Sequence, residues 1–223
     1  MKLSSDTVTV LRNFSDINQN ILFTVGNKLK TMSTMKNIVA KAEIKEDIEQ
    51  EFGVYDLPEF LRAIDSFQSP VIKFNGQTSM TINDEKSTLV ARYAFADKET
   101  LVTPSSKEIK MPDLSVCFQL KNSSYESLKK LFVNLNLPDL AIKGESGKIK
   151  LVALDKKNSN SNQSSISVGE TDTNFTAYIK TENLKLIPGD YDVVLSKQKI
   201  AHFVNSKAKV EYWIALEADS IFN

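Results

Sequence analysis

The chain of 223 residues has one cysteine, one histidine and one tryptophan, and these scarcities exclude several kinds of protein. A single cysteine, Cys117, cannot close an internal disulfide and leaves no cysteine-based metal or redox motif. No run of about 18 apolar residues occurs, so no membrane-spanning helix is predicted. The N-terminal sequence Met-Lys-Leu-Ser-Ser-Asp lacks the apolar core of a secretory signal, which favours a soluble intracellular protein.

Net charge is also absent, because 28 basic side chains are balanced by 28 acidic ones. Tight non-specific binding to nucleic acid requires many uncompensated cations on the phosphate backbone, and this composition does not supply them. Any contact with nucleic acid must therefore be local or geometric. With 41% hydrophobic residues, the chain can still bury a substantial core in one large or two modest domains.

Groups that catalyse reactions or hold metals are few. His202 lies in a strand pattern, which is more typical of a packed or surface histidine than of a general base. Cys117 lies in an apolar run and is expected to be buried. Residues 144–148 lack the spacer of a phosphate loop and are interpreted as a hairpin turn, while the acidic run 46–51 is interpreted as a solvated edge. We therefore expect no enzymatic activity, no cofactor and no metal site.

A recurring amphipathic pattern is the main positive signal. It predicts four helices, each followed by alternating strand segments: Asp6–Ile17, Asp56–Phe67, Ser124–Leu135 and a weak fourth at Thr181–Ile187. Asp6 and Asp56 are the expected N-caps of the first two helices. The apolar residues of each helix form one stripe that is expected to face the core. These stripes are Val10, Leu11, Phe14 and Ile17; Leu57, Phe60, Leu61 and Ile64; Tyr125, Leu128, Leu131, Phe132 and Leu135; and Leu184 and Ile187.

Lysine and arginine side chains recur on the face opposite these stripes. A single surface lysine usually has no function beyond solvation, so the recurrence on successive helices carries the signal. It indicates a scaffold that surrounds something acidic. Between the helices the sequence alternates as strands do, and residues 97–112 have little periodicity. This stretch predicts a boundary between domains 1–106 and 107–223, each α+β with helices on one face of antiparallel sheets.

The pattern resembles the sliding clamps, or DNA polymerase processivity factors, of T-even-type bacteriophages. The two ends of the chain carry the most specific part of the resemblance. The matching residues are Met1–Ser4, Asp6, Thr7, Leu11, Asn13, Phe14, Ile17 and Asn18; Tyr55–Leu57, Phe60 and Leu61; Ala96, Asp97 and Pro104; Gly147–Ile149; Pro188, Gly189 and Tyr191; and Ala215–Ser220.

The resemblance implies a DNA clamp fold assembled as a homotrimeric ring, with helices around the hole and strands outside. Such a ring encircles duplex DNA and tethers the replicative polymerase without catalysing a reaction. The cations around the hole would hold the duplex loosely, without contacting base edges. The predicted DNA-contacting residues are Arg12, Arg62, Lys121, Lys129, Lys130 and Lys185, with Lys2 and Lys180 as weaker candidates.

The resemblance also implies an apolar surface for partner proteins near the interdomain connector and the C-terminus. The expected partners are the DNA polymerase, a clamp-loader ATPase and late-transcription proteins, in the cytoplasm of the infected bacterial host. The candidate partner-binding residues are Leu101, Val102, Ile109, Ile214, Leu216, Ile221 and Phe222, although Leu101, Ile214 and Leu216 fit a plain core role equally well.

Two other functions stay open on the sequence. The first is a single-stranded nucleic-acid-binding β protein, which would need aromatic side chains interleaved with a basic groove. Here the aromatic residues fall mostly on the inward stripes. The second is a small enzyme that uses His202, and this is the weaker of the two alternatives.

Overall fold

The computed structural model describes residues 1–105 and 107–222 of the chain. It divides into two compact units, Met1–Ser106 and Lys107–Asn223. Both units place helical segments against antiparallel strands, so the predicted α+β architecture is confirmed. Within the described residues, every helix is too short or too polar to cross a membrane.

The first unit contains two of the helices and seven strands among its described residues. They are α1 (Ser5–Ile17), β1 (Ile21–Phe23), β2 (Gly26–Met32), β3 (Ile38–Ile48), β4 (Phe52–Val54), α2 (Leu57–Asp65), β5 (Pro70–Asn75), β6 (Ser79–Asp84) and β7 (Val90–Ala94). The antiparallel pairs are β1 with β4, β2 with β3, β5 with β6 and β6 with β7.

The stripes predicted for α1 and α2 are buried, and the two helices pack against each other. Beneath them the rings of Phe23 and Phe52 stack with centroids 4.4 Å apart, and Phe60 meets Tyr93 edge-on at 5.2 Å. Ring pairs of this kind add about 1 kcal/mol each to the burial of their apolar area. These ring contacts therefore join α2 and β7 to the short strands β1 and β4 in the core of the unit.

The N-terminus of α1 is capped differently from the prediction. Ser4, not Asp6, is the N-cap: its backbone is extended and its hydroxyl accepts a hydrogen bond from the Thr7 N–H. The carboxylate of Glu46 accepts hydrogen bonds from the Ser4 N–H and the Thr7 hydroxyl. Glu46 is therefore a second cap and not merely part of a solvated edge, because it satisfies donors that the first helical turn leaves unpaired.

The second unit contains one α-helix and nine strands among its described residues. They are β8 (Val116–Leu120), α3 (Asn122–Asn134), β9 (Asp139–Glu145), β10 (Lys148–Leu154), β11 (Ser164–Glu170), β12 (Phe175–Lys180), β13 (Tyr191–Ser196), β14 (Ile200–Asn205), β15 (Val210–Ala215) and β16 (Ile221–Phe222). One run of paired strands has the order β11-β10-β9-β12-β16 and another the order β15-β14-β13-β8.

Helix α3 begins two residues before its predicted start and buries a narrower stripe. Tyr125, Leu128 and Phe132 are buried as predicted. Leu131 and Leu135, which were expected to face the core, are 45% and 39% exposed. That part of the prediction is wrong, because only the residues nearest the centre of the stripe reach the sheet.

The weak fourth helix is not formed. Only one 3-10 turn occurs, at Thr181–Asn183, although Leu184 and Ile187 are buried as expected. The phenol of Tyr125 donates to the Leu184 carbonyl at 3.1 Å, and that of Tyr191 donates to the Ile187 carbonyl at 2.6 Å. These buried tyrosines satisfy backbone groups that a helix would otherwise pair internally, so the segment can bury its leucines in a non-helical conformation.

The strands β4 and β16 were not predicted from the sequence, because they are only three and two residues long and show no clear alternation. The segment 144–148 is the hairpin turn that was predicted, since β9 and β10 pair directly on either side of it. Ser146 and Gly147 both have positive φ angles, of 52° and 75°. This is the geometry of a tight two-residue hairpin turn, which explains the glycine.

Candidate nucleic-acid interface

Arg12 lies on the exposed face of α1, where the stripe predicted it. Its guanidinium Nη2 contacts both carboxylate oxygens of Asp65 in α2, at 2.7 and 2.6 Å. Both side chains remain about half exposed, at 54% and 44%. The pair therefore joins the outward faces of the two helices, and much of the charge of Arg12 is already balanced within the unit.

Arg62 is exposed on α2, one turn before Asp65, and none of the described residues forms an ion pair with it. The two helices nevertheless carry more acid than base. Against Arg12 and Arg62 stand four carboxylates: Asp6, Asp16, Glu59 and Asp65. The helical face of the first unit is consequently a weak attractor for phosphate.

Helix α3 has the opposite balance. Lys129 and Lys130 face outward and Glu126 is the one acidic residue within the helix. The Lys129 ammonium lies 5.8 Å from the centre of the Tyr125 ring, while Lys130 is exposed and has no ion pair among the described residues. The most available positive charge on a helix is therefore in the second unit.

Lys121 precedes α3 and pairs with Asp190 at 3.0 Å. The other oxygen of that carboxylate accepts the Asn122 N–H at 2.8 Å, which caps the first turn in place of the lysine at the N-cap position. The backbone hydrogen bond from Asn122, followed by that from Lys121, lowers the pKa of Asp190. Lys121 is thus exposed but partly neutralised.

The remaining predicted cations differ from one another. Lys2 is exposed and pairs with Glu85 at 2.5 Å, and Lys185 is half-buried after the 3-10 turn. Lys180 is only 26% exposed, and it contacts at 2.5 Å the carboxylate of Asp139, which is 1% exposed. Because Lys180 neutralises a buried charge, its role within the unit is structural.

The seven predicted partner-binding residues separate by burial. Ile214 is 0% exposed, and Leu101 and Leu216 are also buried, so these three pack inside the protein and offer no surface. Ile109 is 38% and Ile221 59% exposed. Val102 is half-buried, and Phe222 is half-buried and stacks on Phe175 at 5.8 Å. Of the seven predicted residues, those that offer apolar surface therefore lie at the connector and the C-terminal end.

The C-terminal segment is held by contacts that the sequence did not reveal. Lys156, in the loop after β10, contacts Asp219 at 2.8 Å and Glu217 at 3.5 Å, and it lies 4.9 Å from the ring centre of Tyr178. The hydrogen bond and charge of Lys156 lower the pKa of Asp219 although slight burial opposes this. Because these residues are distant in the sequence, no local sequence pattern indicates that Lys156 contacts the C-terminal segment.

Groups with catalytic potential are dispersed. His202 stacks on Trp213 with centroids 4.5 Å apart and its Nε2 lies 3.1 Å from Glu211, as expected for a packed histidine. Cys117 is exposed on the strand β8, which contradicts the predicted burial, because it alternates with the buried Val116 and lies on the opposite face of the strand. Among the described residues no cluster of three or more histidine, cysteine or carboxylate groups could hold a metal ion.

Two α+β units with cation-bearing helices over antiparallel strands define a protein of the DNA-clamp class. Two comparisons with solved structures agree on this fold. The PCNA of Entamoeba histolytica superposes with a TM-score of 0.70 over 97% of both chains, and a chain of the PCNA2–PCNA3 complex of Sulfolobus tokodaii with 0.65 over 98% of both. Each is 13% identical in sequence, so these likenesses show the fold alone.

The chain belongs to the sliding clamp family of T4-like phages. A family model described as DNA polymerase processivity factor matches residues 4–103, and one described as gp45 sliding clamp, C terminal, matches residues 117–218. The sliding clamp of Vibrio phage KVP40 is 32% identical over 98% of this chain and 100% of its own length. Those of Escherichia phage RB69 and Enterobacteria phage T4 are 32% and 30% identical over 99% of this chain and 98% of theirs.

Proposed function

We propose that three copies of the chain close into a ring around duplex DNA and tether the phage replicative DNA polymerase. The observation that carries this proposal is that family models match both units. The model that matches the first unit is described as DNA polymerase processivity factor. The mechanism is topological: a polymerase bound to a ring that cannot leave the duplex stays at high effective concentration near the primer end. No bond is made or broken, so the function requires no catalytic group.

The charges on the helices suit a ring that slides. A surface that neutralised many phosphates would release many counterions on binding and would dissociate slowly. Here the first unit balances Arg12 with Asp65, and the second unit offers Lys129 and Lys130 without a comparable acidic excess. We propose that the duplex is held mainly by α3, with Arg62, Lys121, Lys185, Arg12 and Lys2 as weaker contacts. Contacts of this kind position the backbone and do not discriminate between bases.

Partner proteins are proposed to bind the exposed apolar residues at the connector and the C-terminal end, namely Ile109, Ile221 and the half-buried Val102 and Phe222. An extended peptide tail is a suitable occupant, because its main chain can add to a strand edge while its apolar side chains contact the exposed apolar residues. The partners proposed are the polymerase, a clamp-loader ATPase that opens the ring, and late-transcription proteins. The proposed location is the cytoplasm of the infected bacterium.

The alternative of a single-stranded nucleic-acid-binding protein is not favoured. Base stacking requires exposed aromatic rings beside a basic groove. The aromatic residues of the helix stripes, Phe14, Phe60, Tyr125 and Phe132, are all 5% exposed or less, and so is Tyr212 in β15. The aromatic rings beside the cations of these helices are therefore buried and offer no surface on which bases would stack.

The test compares retention on closed circular and linear DNA after loading. We expect retention on circles and rapid loss from linear molecules, because a ring slides off a free end. Changing Lys129→Glu and Lys130→Glu together should lower loading and processive synthesis. The matched control changes Lys148→Glu and Lys197→Glu, which are exposed beside hairpin turns of the same unit and do not belong to α3. Equal retention on both DNA forms would contradict the ring, and equal activity of the two double variants would contradict the α3 contact.

A further inference from the structure

A row of five side chains, here called the lysine row, crosses the strands β11-β10-β9-β12-β16 of the second unit. Each member is the direct cross-strand partner of the next, so all five lie on one face of the sheet. In order they are Ser167, Lys150, Lys143, Thr176 and Ile221. Ile149 and Leu151, which alternate with Lys150 along β10, are each 1% exposed. The core therefore lies against the opposite face, and the lysine row lies on the side away from it.

The two lysines at the centre of the row face each other across β9 and β10. The Cβ atoms of such partners lie about 5 Å apart, and like charges placed directly opposite destabilise a sheet. None of the described residues forms an ion pair with Lys143 or Lys150. By contrast, Lys148 has Glu145 and Glu170 as its direct partners. The sheet thus keeps one uncompensated pair of cations, which indicates an acidic ligand from outside the unit.

The β16 end of the row is apolar and is held in place. Ile221 is 59% exposed, although the strand that carries it is only two residues long. Contacts on both sides fix its position. The Ser220 Oγ accepts a hydrogen bond from the Tyr178 N–H at 2.9 Å, and the Phe222 ring stacks on Phe175 with centroids 5.8 Å apart. An exposed apolar side chain is therefore presented at a fixed distance from the two cations.

The spacing of the row matches an extended peptide. Neighbouring strands lie about 4.8 Å apart, so Ile221 is three strand spacings, or about 14 Å, from Lys150. An extended chain advances about 3.4 Å per residue, and its alternate side chains point to one side, so the first and fifth side chains are also about 14 Å apart. The third side chain then lies about 7 Å from the first, within reach of the long side chain of Lys143.

We propose that the lysine row binds an extended acidic segment of a partner protein, with acidic residues at its first and third positions and an apolar residue at its fifth. Charge complementarity decides the occupant. Nucleic acid fits less well, because Glu145 and Glu170 flank the row and would repel a phosphate backbone that continued past it. The inference rests on the partner surface proposed at Ile221, and it adds the chemistry of the segment that this surface selects.

The experiment measures binding of labelled, C-terminally amidated pentapeptides to the full chain by fluorescence anisotropy at low salt. The probe is Asp-Ser-Asp-Ser-Leu; Asn-Ser-Asn-Ser-Leu removes its charge and Asp-Ser-Asp-Ser-Ser its apolar residue. The wild type should bind the probe more tightly than either comparison peptide. Lys143→Gln with Lys150→Gln should weaken binding of the probe about fivefold or more, because two exposed ion pairs are lost. The matched control, Lys197→Gln with Lys207→Gln, makes the same change in net charge at exposed positions beside β13, β14 and β15 and should bind the probe as the wild type does.

Urea unfolding of the Lys143→Gln, Lys150→Gln variant separates a binding role from a structural one. Its midpoint should be unchanged or higher, because a repulsive pair is removed. A lower midpoint would show that the two lysines hold the sheet, and would contradict the inference.

The other outcomes are equally distinct. Absence of probe binding to the wild type, or equal weakening in the two double variants, contradicts the lysine row. A labelled pentathymidylate that binds more tightly than the probe, and loses affinity in the same variant, would identify a nucleic-acid surface instead. Retention on circular and linear DNA is measured separately, so the proposed ring can fail while the probe still binds to the row, and the row can fail while the ring is retained.

Discussion

The guanidinium of Arg12 holds both carboxylate oxygens of Asp65, at 2.7 and 2.6 Å, and so ties α1 to α2 on their exposed faces. Because the pair is about half exposed, its contribution to folding is small, on the order of 0.5 kcal/mol. Its larger consequence is for binding. The sequence pattern predicted that Arg12 contacts DNA, but Asp65 already balances much of the positive charge of Arg12, so less of it can attract a phosphate.

The first prediction concerns this pair. Asp65→Asn should free Arg12 and strengthen DNA contact, with a steeper dependence of DNA affinity on salt concentration by about one phosphate contact per subunit. The measurement is diffusion of loaded clamps along DNA and the salt dependence of their retention. Asp47→Asn, an exposed carboxylate on β3, serves as the control. An unchanged salt dependence would show that Arg12 does not approach the duplex.

The second prediction concerns Glu46 and pH. Burial acts to raise the pKa of Glu46, but hydrogen bonds from Thr7 and Ser4 outweigh it, so the pKa is lowered from its ordinary value of 4.5. A folded-state pKa below the unfolded one stabilises the fold above the unfolded pKa, and this contribution is lost as the pH falls through the folded pKa. Glu46→Gln should cost about 1 kcal/mol at pH 7.

The cost of Glu46→Gln should shrink as the pH is lowered below about 4.5, where the wild-type carboxylate also becomes protonated. Urea unfolding of both proteins between pH 7 and pH 3 measures it. Glu49→Gln, an exposed neighbour in the sequence, should be nearly neutral throughout. A loss at Glu46 that does not vary with pH would mean that packing, and not the charged cap, is responsible.

The third prediction concerns Asp139, which is 1% exposed and accepts from the Lys180 ammonium at 2.5 Å and from the Lys156 N–H at 3.1 Å. Asp139→Ala should lower the free energy of unfolding by about 2 to 3 kcal/mol, because it leaves a partly buried lysine without its counter-charge. Denaturant unfolding gives this value. Asp172→Ala, at an exposed position in the same unit, should change it by less than about 0.5 kcal/mol.

The fourth prediction concerns Cys117, the only cysteine of the chain. Because its side chain is exposed on β8, a thiol reagent should label the folded protein at a rate close to that of the unfolded chain. Mass spectrometry should find one label per chain. Slow labelling of Cys117 in the native protein would instead show that its side chain is buried, as the apolar run 116–118 predicted.

Local patterns predicted the parts of the fold that local forces decide. The stripes of α1 and α2 are buried residue for residue, and Asp56 caps α2 by accepting the Glu59 N–H at 2.7 Å. Pro70–Asn75 and Lys148–Leu154 are both strands, as the alternating pattern between the helices predicted. Periodicity succeeds here because one face of each element is buried against a single neighbour.

The predictions that were wrong depend on distant residues. Leu131 and Leu135 continue the period of α3 but lie beyond the reach of the sheet, and the segment after Lys180 is not helical because tyrosines from other elements bind its backbone. Cys117 is exposed because it lies on the face of β8 opposite the buried Val116, and distant elements decide which face is covered. None of these arrangements leaves a signal in neighbouring residues.

In the candidate site, too, local patterns predicted some features and contacts between distant residues decided the others. Helical periodicity alone places lysines and arginines on the outward faces of the helices, opposite the apolar stripes. Only the tertiary structure decided which of them carry available charge: Arg12 meets Asp65 fifty-three positions away and Lys180 meets Asp139 forty-one positions away, while Lys130 meets no carboxylate among the described residues. The physical reason is that a cation's effective charge depends on which carboxylates the fold brings within a few ångströms, and chain order does not state that.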